Sequence, residues 1–332
     1  MPRRSYWWAT RVAVVVLLVL VLSGCQTGTS GGHPRTSEVA GTNKTAAPSS
    51  TGQPATAEPA TKIAFVSNRT GTYNVYVVNA DGSGLRRLTR FRSGDLGRPA
   101  LSPDGKSVIF GRAKTANGDS DLWIVATDGH GLRDLTPGPS DDSSPSWSPD
   151  GKKILFASDR SGAYDIFVMK ANGTGMLQLS DRGRGDAEPA FSRDGKRVAF
   201  VECDQSFGHC QLWAMKANGK GARRLTRTLV EDERPSWSPD DAKLAVTVKQ
   251  AGSLDVAVVV LRGGAVRRLT HGDADDFQPS YSPDGTRIAF GSNRAGAPSL
   301  YVMQADGTQV SSLTSPTKGQ DEDLSWQPAT VG

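Results

Sequence analysis

From residue 62 onward the chain repeats itself about every 45 residues, and this period limits the possible folds more than any other feature. Ser-Pro-Asp followed by Gly or Asp begins at Ser102, Ser148, Ser238 and Ser282, and a fifth copy reads Ser192-Arg193-Asp194-Gly195. A large apolar residue precedes each copy (Leu101, Trp147, Phe191, Trp237, Tyr281), and Trp326 continues the column at spacings of 46, 44, 46, 44 and 45. A second marker, Leu-Thr or Leu-Ser, recurs at Leu88, Leu135, Leu179, Leu225, Leu269 and Leu313. Two independent markers on one period point to a single structural unit copied along the chain.

Residues 144–180 illustrate the unit. Strands are expected over 144–148, 153–158, 165–170 and 176–179, joined by a Pro149-Asp150-Gly151 turn and an Asn172-Gly173 hairpin turn. Four short strands per 45 residues, with no amphipathic helix between them, predict the blade of a β-propeller. The first unit lacks its leading strand, and residues 323–328 are a leading strand with nothing after it. The expected fold is therefore all-β, a six-bladed propeller over residues 61–328 closed by the C-terminal strand completing blade 1, with a tail at 329–332.

Residues 1–24 read as an export signal. Arg3, Arg4 and Arg11 precede an apolar run from Val12 to Leu22, too short to span a bilayer as a helix. Arg3-Arg4 also fits a twin-arginine signal, leaving the export route open between that and the general secretory one. Leu22-Ser23-Gly24-Cys25 has the form of a lipobox, predicting a lipidated Cys25 and a cell-membrane location on the extracytoplasmic side. Residues 25–60 are rich in Gly, Ser, Thr, Pro and Ala and are expected to form a disordered tether.

The formal net charge is +5, and removal of the three signal arginines leaves +2, which does not point to a nucleic-acid partner, and none is expected for an exported chain. Two cysteines remain, Cys203 and Cys210. Outside the cytoplasm they predict a disulfide; a metal site with His209 as third ligand lacks an evident fourth.

Strand alternation sorts the loops onto two faces. The A–B and C–D turns carry Lys106, Lys152, Lys153, Lys196, Arg197, Lys243 and Arg287, and the chain enters on that side, so this basic face is expected to lie toward an anionic membrane. On the other face an acidic column leads into the innermost strands: Asp142, Asp186, Asp232, Asp276 and Asp321, with Leu96 in the sixth slot and Asp95 beside it. These aspartates are expected to ring a channel mouth that binds a partner or a Ca²⁺-like cation. The alternative is that each pairs with an arginine across a blade junction, from the Ser-Asn-Arg or Ser-Asp-Arg segments holding Arg69, Arg160 and Arg294. Of the four histidines, His33 lies in the tether, His130 in a turn, His209 in the cysteine hairpin and His271 in a loop. No catalytic residues are assigned. Paired carboxylates at the mouth leave an enzyme acting on a glycan or peptide as the alternative to a binding scaffold.

The Trp-Ser-Pro-Asp-Gly turn, the Ser-Asn-Arg or Ser-Asp-Arg after the second strand and the closing Leu-Thr resemble the WD40-like PD40 repeats of the TolB propeller family. The resemblance covers residues 62–328 and implies a six-bladed ring closed by a terminal strand. It also implies a monomeric, periplasm-facing scaffold without a cofactor whose channel mouth binds an envelope protein or cell-wall ligand. In the family's namesake that ligand is a peptidoglycan-associated lipoprotein. Two departures bear on this: the namesake has an α/β domain where this chain has a tether, and it is not lipid-anchored. Blade 5 departs most from the repeat, with Asp241 for glycine and no Ser-Asn-Arg in 249–253.

Overall fold

The computed structural model describes residues 61–328, apart from 116–117, 205–209, 232, 251 and 315–318. These residues fall within one compact unit, Ala60–Gly332. Every regular element among them is a strand, and the strands form six four-stranded antiparallel sheets. The A strands are Asp95–Leu101, Asp142–Trp147, Asp186–Phe191, Ser236–Trp237, Asp276–Tyr281 and Asp321–Trp326. The B strands are Lys62–Ser67, Ser107–Ala113, Lys153–Ser158, Arg197–Cys203, Lys243–Gln250 and Arg287–Ser292, in blades 1 to 6; the C strands are Asn74–Asn79, Ser120–Ala126, Asp165–Lys170, Cys210–Lys216, Ser253–Val260 and Ser299–Gln304, and the outer D strands Arg86–Arg87, Arg133–Asp134, Leu177–Gln178, Arg223–Val230, Val266–Arg268 and Ser311–Ser312. The ring closes as the repeat predicts: Asp321–Trp326 pairs antiparallel with Lys62–Ser67, Trp326 opposite Ile63 and Asp321 opposite Ser67.

The B strands are buried on both sides because each blade is sandwiched between two others, which is why they read as unbroken apolar runs such as 154–157. Blade-to-blade cores form from these runs and the aromatic column. Trp147 packs with Ala100, Ile109 and Leu122 of the preceding blade, and its indole N–H donates to the Ala100 carbonyl at 3.0 Å. Trp237 does the same to Ala190, also at 3.0 Å. Each large side chain so buried contributes about 1.5–3 kcal/mol.

The Ser-Pro-Asp-Gly turn is held by its own side chains. In blade 3 the Ser148 hydroxyl donates to Asp150 Oδ1 at 2.6 Å, and Asp150 Oδ1 accepts the Lys152 N–H at 3.0 Å. Gly151 sits at φ 69°, in the left-handed region where a side chain is strained. Blades 4 and 5 depart from this turn in a matched way. Arg193 replaces proline and so keeps a backbone N–H; Asp241 replaces glycine at φ 57° and accepts that N–H at 2.6 Å, with the Asp194 N–H at 2.9 Å. The two departures form one inter-blade clasp.

Candidate functional site

The acidic column opens the A strands, and the structure shows why those positions are aspartate. Asp142 is fully buried, and Arg160 grips both its oxygens at 2.8 Å. Arg294 holds Asp276 at 2.8 and 2.9 Å, and Arg69 holds Asp321 at 2.7 and 2.6 Å. Each arginine comes from the B–C loop of the same blade, so the pairing across a blade junction expected from the sequence is corrected to pairing within the blade. The reason is register: Asp142 lies opposite Ser158, two residues before Arg160.

Each residue of the Ser-Asx-Arg motif has a part in this. The Ser158 hydroxyl accepts the Arg160 Nε–H at 2.8 Å and fixes the fork. Asp159 accepts the N–H of Asp141 at 2.9 Å, and Asp141 in turn accepts the Ser120 N–H of the preceding blade at 3.2 Å. Blade 6 repeats the scheme with Asn293, Asp275 and Leu254. The guanidinium also lies over an aromatic pair that is matched in register: Arg160 over Phe156 and Phe167, Arg294 over Phe290 and Tyr301, Arg69 over Phe65 and Tyr76. Burial outweighs the arginine at Asp142 and raises its pKa.

The remaining blades differ. In blade 4 the guanidinium comes from the D–A loop: Arg182 stacks 3.9 Å over Trp213, binds Glu202 and stands 4.0 Å from Asp186. Burial pushes Asp186 up to about 6, with Arg182 pulling it back. Asp141 is likewise pushed up to about 6 by burial, against a 2.5 Å hydrogen bond from Tyr164. Asp95 is half-exposed, and burial raises its pKa. In blade 5 the pair Val246–Ala257 stands where the aromatics lie elsewhere, and the B and C strands run on until Gln250 faces Ser253, leaving no room for an arginine loop. Asp232, His209, His33 and Cys25 lie outside the described residues. Cys203 and Cys210 face each other across the B and C strands of blade 4 and are joined by a disulfide. His130 is exposed beside Asp128, and His271 is exposed beside Arg268. Among the described residues no three His, Cys, Asp or Glu side chains are grouped to hold a metal ion.

Sequence reasoning missed the centre of the ring. The residue before the proline column is polar in all six blades: Arg98, Ser144, Glu188, Arg234, Gln278 and Asp323. In five blades it falls at a bulge in the A strand with φ between 51° and 55°, while Arg234 precedes the shorter A strand of blade 5. Such a backbone costs about 1–3 kcal/mol per residue, and it aims these side chains at the axis. Arg98 meets Glu188 at 2.6 Å, past the intervening blade. Arg234 donates to the carbonyls of Pro145 at 2.6 Å and Pro99 at 2.8 Å, in blades on the far side. Gln278 and Asp323 bond each other side chain to side chain, and the Asp323 N–H donates to Gln278 Oε1 at 2.7 Å. The channel is therefore crossed by these side chains, with Glu188, Gln278 and Asp323 buried and Arg98 and Arg234 partly so. Burial raises the Glu188 pKa against the two arginines and lowers that of Arg234. On the Ser-Pro-Asp side of this crossing a cavity of about 150 Å³ is lined by Arg98, Arg234, Gln278 and Asp323 below and by Trp147, Trp237 and Tyr281 around it. The signal that would have found the crossing was a polar residue, six times out of six, in an innermost strand.

Six four-stranded sheets around an axis, closed by strand exchange between the chain ends, define a six-bladed β-propeller with D–A and B–C loops locked by ion pairs. The family model described as TolB beta propeller domain matches residues 54–242 and 232–329, and the chain belongs to this family. A TolB homolog from Chlorobium luteolum is 34% identical over 30% of this chain and 32% of its own length. The Tol-Pal system protein TolB of Rhizorhabdus wittichii is 40% identical over 24% of this chain and 17% of its own. The matches thus span a third or less of these curated relatives. The solved TolB structure from Acinetobacter baumannii superposes with a TM-score of 0.70 at 24% identity, covering 81% of this chain and 67% of that one.

Proposed function

We propose that this chain is exported, lipidated at Cys25 and held on the extracytoplasmic side of the membrane as a scaffold whose D–A/B–C face takes an envelope-protein or cell-wall partner. The export signal and lipobox of the sequence support the anchoring, and the TolB family membership supports a binding role. The observation that carries the reading is the locking of that face. Loops tied down by bidentate Asp–Arg pairs and Asx bonds form a pre-organised relief, which lowers the ordering cost of association. The same locking works against the enzyme alternative, since Asp142, Asp276 and Asp321 hold guanidinium groups rather than facing a substrate. It also leaves those three aspartates unsuited to a Ca²⁺-like ion.

The partner-facing groups on this reading are the exposed acids of the loops, Asp181 and Asp273. Capture from solubilised envelopes with the full chain should yield a stoichiometric partner, and Asp181→Lys with Asp273→Lys should abolish it while leaving the melting curve unchanged. Turnover of cell-wall fragments without a retained partner would sink the scaffold reading.

A further inference from the structure

The face opposite the locked loops has a different character. Lys106, Lys152, Lys196, Lys216, Lys220 and Lys243 are all exposed on its A–B and C–D turns, and none forms an ion pair with another described residue. The carboxylates nearest them point into their own turns and keep their charge: Asp150, Asp194 and Asp240 each accept a serine hydroxyl at 2.5–2.6 Å and a backbone N–H at 3.0–3.1 Å, and the lysines, with Lys153, Arg197 and Arg223 beside them, outnumber them. Large apolar side chains are exposed on the same rim. The residue just before each outer strand is apolar in all six blades, and three of these are well exposed: Leu85 at 47%, Leu132 at 40% and Val310 at 39%. They alternate with cations, since Arg86 and Arg133 follow directly and reach only to turn carbonyls of the next blade.

The chain outside the described residues also joins here. Thr61 O accepts the N–H of Ala80 at 2.8 Å, and Thr61 Oγ1 accepts the Trp326 indole N–H at 3.0 Å, which fixes the entry point on the C–D side. Sixty residues precede it, and Cys25 stands 36 residues away. On the far side of the molecule the D–A loops show no such surplus, the exposed acids Asp181 and Asp273 being offset by the exposed Arg90, Arg92 and Arg184.

We infer that the A–B/C–D face docks onto an anionic phospholipid bilayer, with the lysines at the headgroups and Leu85, Leu132 and Val310 at the interfacial depth, so that the D–A/B–C face points away from the membrane. The surplus of cations over carboxylates supplies long-range attraction and the exposed apolar side chains supply short-range adhesion, the combination that makes interfacial binding depend on lipid charge. The inference uses the anchor only to bring protein and bilayer together; the docking itself comes from the face.

The test is hydrogen exchange on the full chain mixed with vesicles of 30% phosphatidylglycerol in phosphatidylcholine, compared with phosphatidylcholine alone. Peptides containing Leu85, Leu132 and Lys152 should slow on the anionic vesicles only, while the D–A loops exchange equally on both. Lys152→Glu with Lys196→Glu and Lys243→Glu should weaken the lipid-dependent effect more than about tenfold, as should 0.5 M salt, where the Debye length falls well below about 10 Å. Equal exchange on both vesicles, or protection of the D–A loops, would overturn the inference. Equal protection by soluble polyphosphate, with no further gain from vesicles, would assign the face to an anionic polymer and overturn it too. If mass spectrometry shows Cys25 unmodified, the anchor reading fails separately. The chain should then still float with anionic vesicles and not with neutral ones, and floating with neither would refute the docking.

Discussion

Arg234→Met is the most informative single change. Arg234 is partly buried, spans the axis to the carbonyls of Pro99 and Pro145, and faces Glu188. Methionine keeps much of the aliphatic volume and deletes the charge and both hydrogen bonds. What remains is Glu188, fully buried, with Arg98 as its one cationic neighbour on the ring. Breaking a buried charge pair from one side costs about 3–5 kcal/mol. For a domain this size that lowers the melting temperature by roughly 6–20 °C. The sign with pH follows from Glu188. Its folded pKa is already raised by burial, and losing Arg234 raises it further, so the variant's deficit should be smaller at pH 5 than at pH 8. Urea unfolding followed by tryptophan fluorescence measures it, and Glu188→Gln in the same background should recover more than about 1.5 kcal/mol through the coupling. A loss under about 1 kcal/mol, or strict additivity of the two changes, would show that the axial crossing is not an interacting network.

Three further outcomes follow from the same contacts. Asp141 and Asp186, both pushed up to about 6 by burial, bind protons more tightly folded than unfolded; their ionisation should erode stability as pH rises from about 4 to 6, by a few kcal/mol at most. Asp186→Asn should remove its share of that slope in thermal melts at pH 4.5 and 7. Below that window the trend should reverse, because Asp150, Asp194 and Asp240 are held low by their serine hydroxyls and lose that stabilisation on protonation. Arg160→Ala strands the buried Asp142 and should cost roughly 2–4 kcal/mol by urea titration, with Arg160→Lys recovering only part since it lacks the fork. Asp241→Gly should cost about 1 kcal/mol by orphaning the Arg193 N–H, and adding Arg193→Pro, which has no N–H to orphan, should bring the protein back close to its original stability.

The ring itself was legible because a propeller blade repeats its turn chemistry and its apolar strands in register with the sequence. The Pro149-Asp150-Gly151 turn and the strand at 153–158 fall where the pattern puts them, while the leading strand begins at Asp142, two residues earlier than expected. That shift mattered, since it moved the aspartate from a loop, where it would face solvent, to the first residue of a buried strand. The pairing of Asp142 with Arg160 was among the sequence alternatives, but its location within one blade depended on a cross-strand register that no periodicity reveals. The axial crossing was hidden for a similar reason. Arg98 and Glu188 are 90 positions apart in non-adjacent blades, and only ring closure brings them to 2.6 Å.

A residue type repeated at one slot in most blades is explained by what every blade needs, and so it carries little information about a ligand. The aspartate column, the Ser-Asx-Arg arginines and the aromatic column all proved to be fittings of this kind. Selectivity has to come from slots where the blades disagree. The axial slot holds Arg, Ser, Glu, Arg, Gln and Asp; the D–A loops differ in length and charge; blade 4 has its disulfide hairpin and an eight-residue outer strand, Arg223–Val230; blade 5 has no arginine fork. Blades 4 and 5 are also where proline and glycine of the repeat are exchanged together for Arg193 and Asp241. A matched double departure held by two hydrogen bonds is hard to assign to drift. The sector spanning those two blades is therefore where a partner's specificity should first be sought, by substituting its exposed loops while leaving the shared fittings intact.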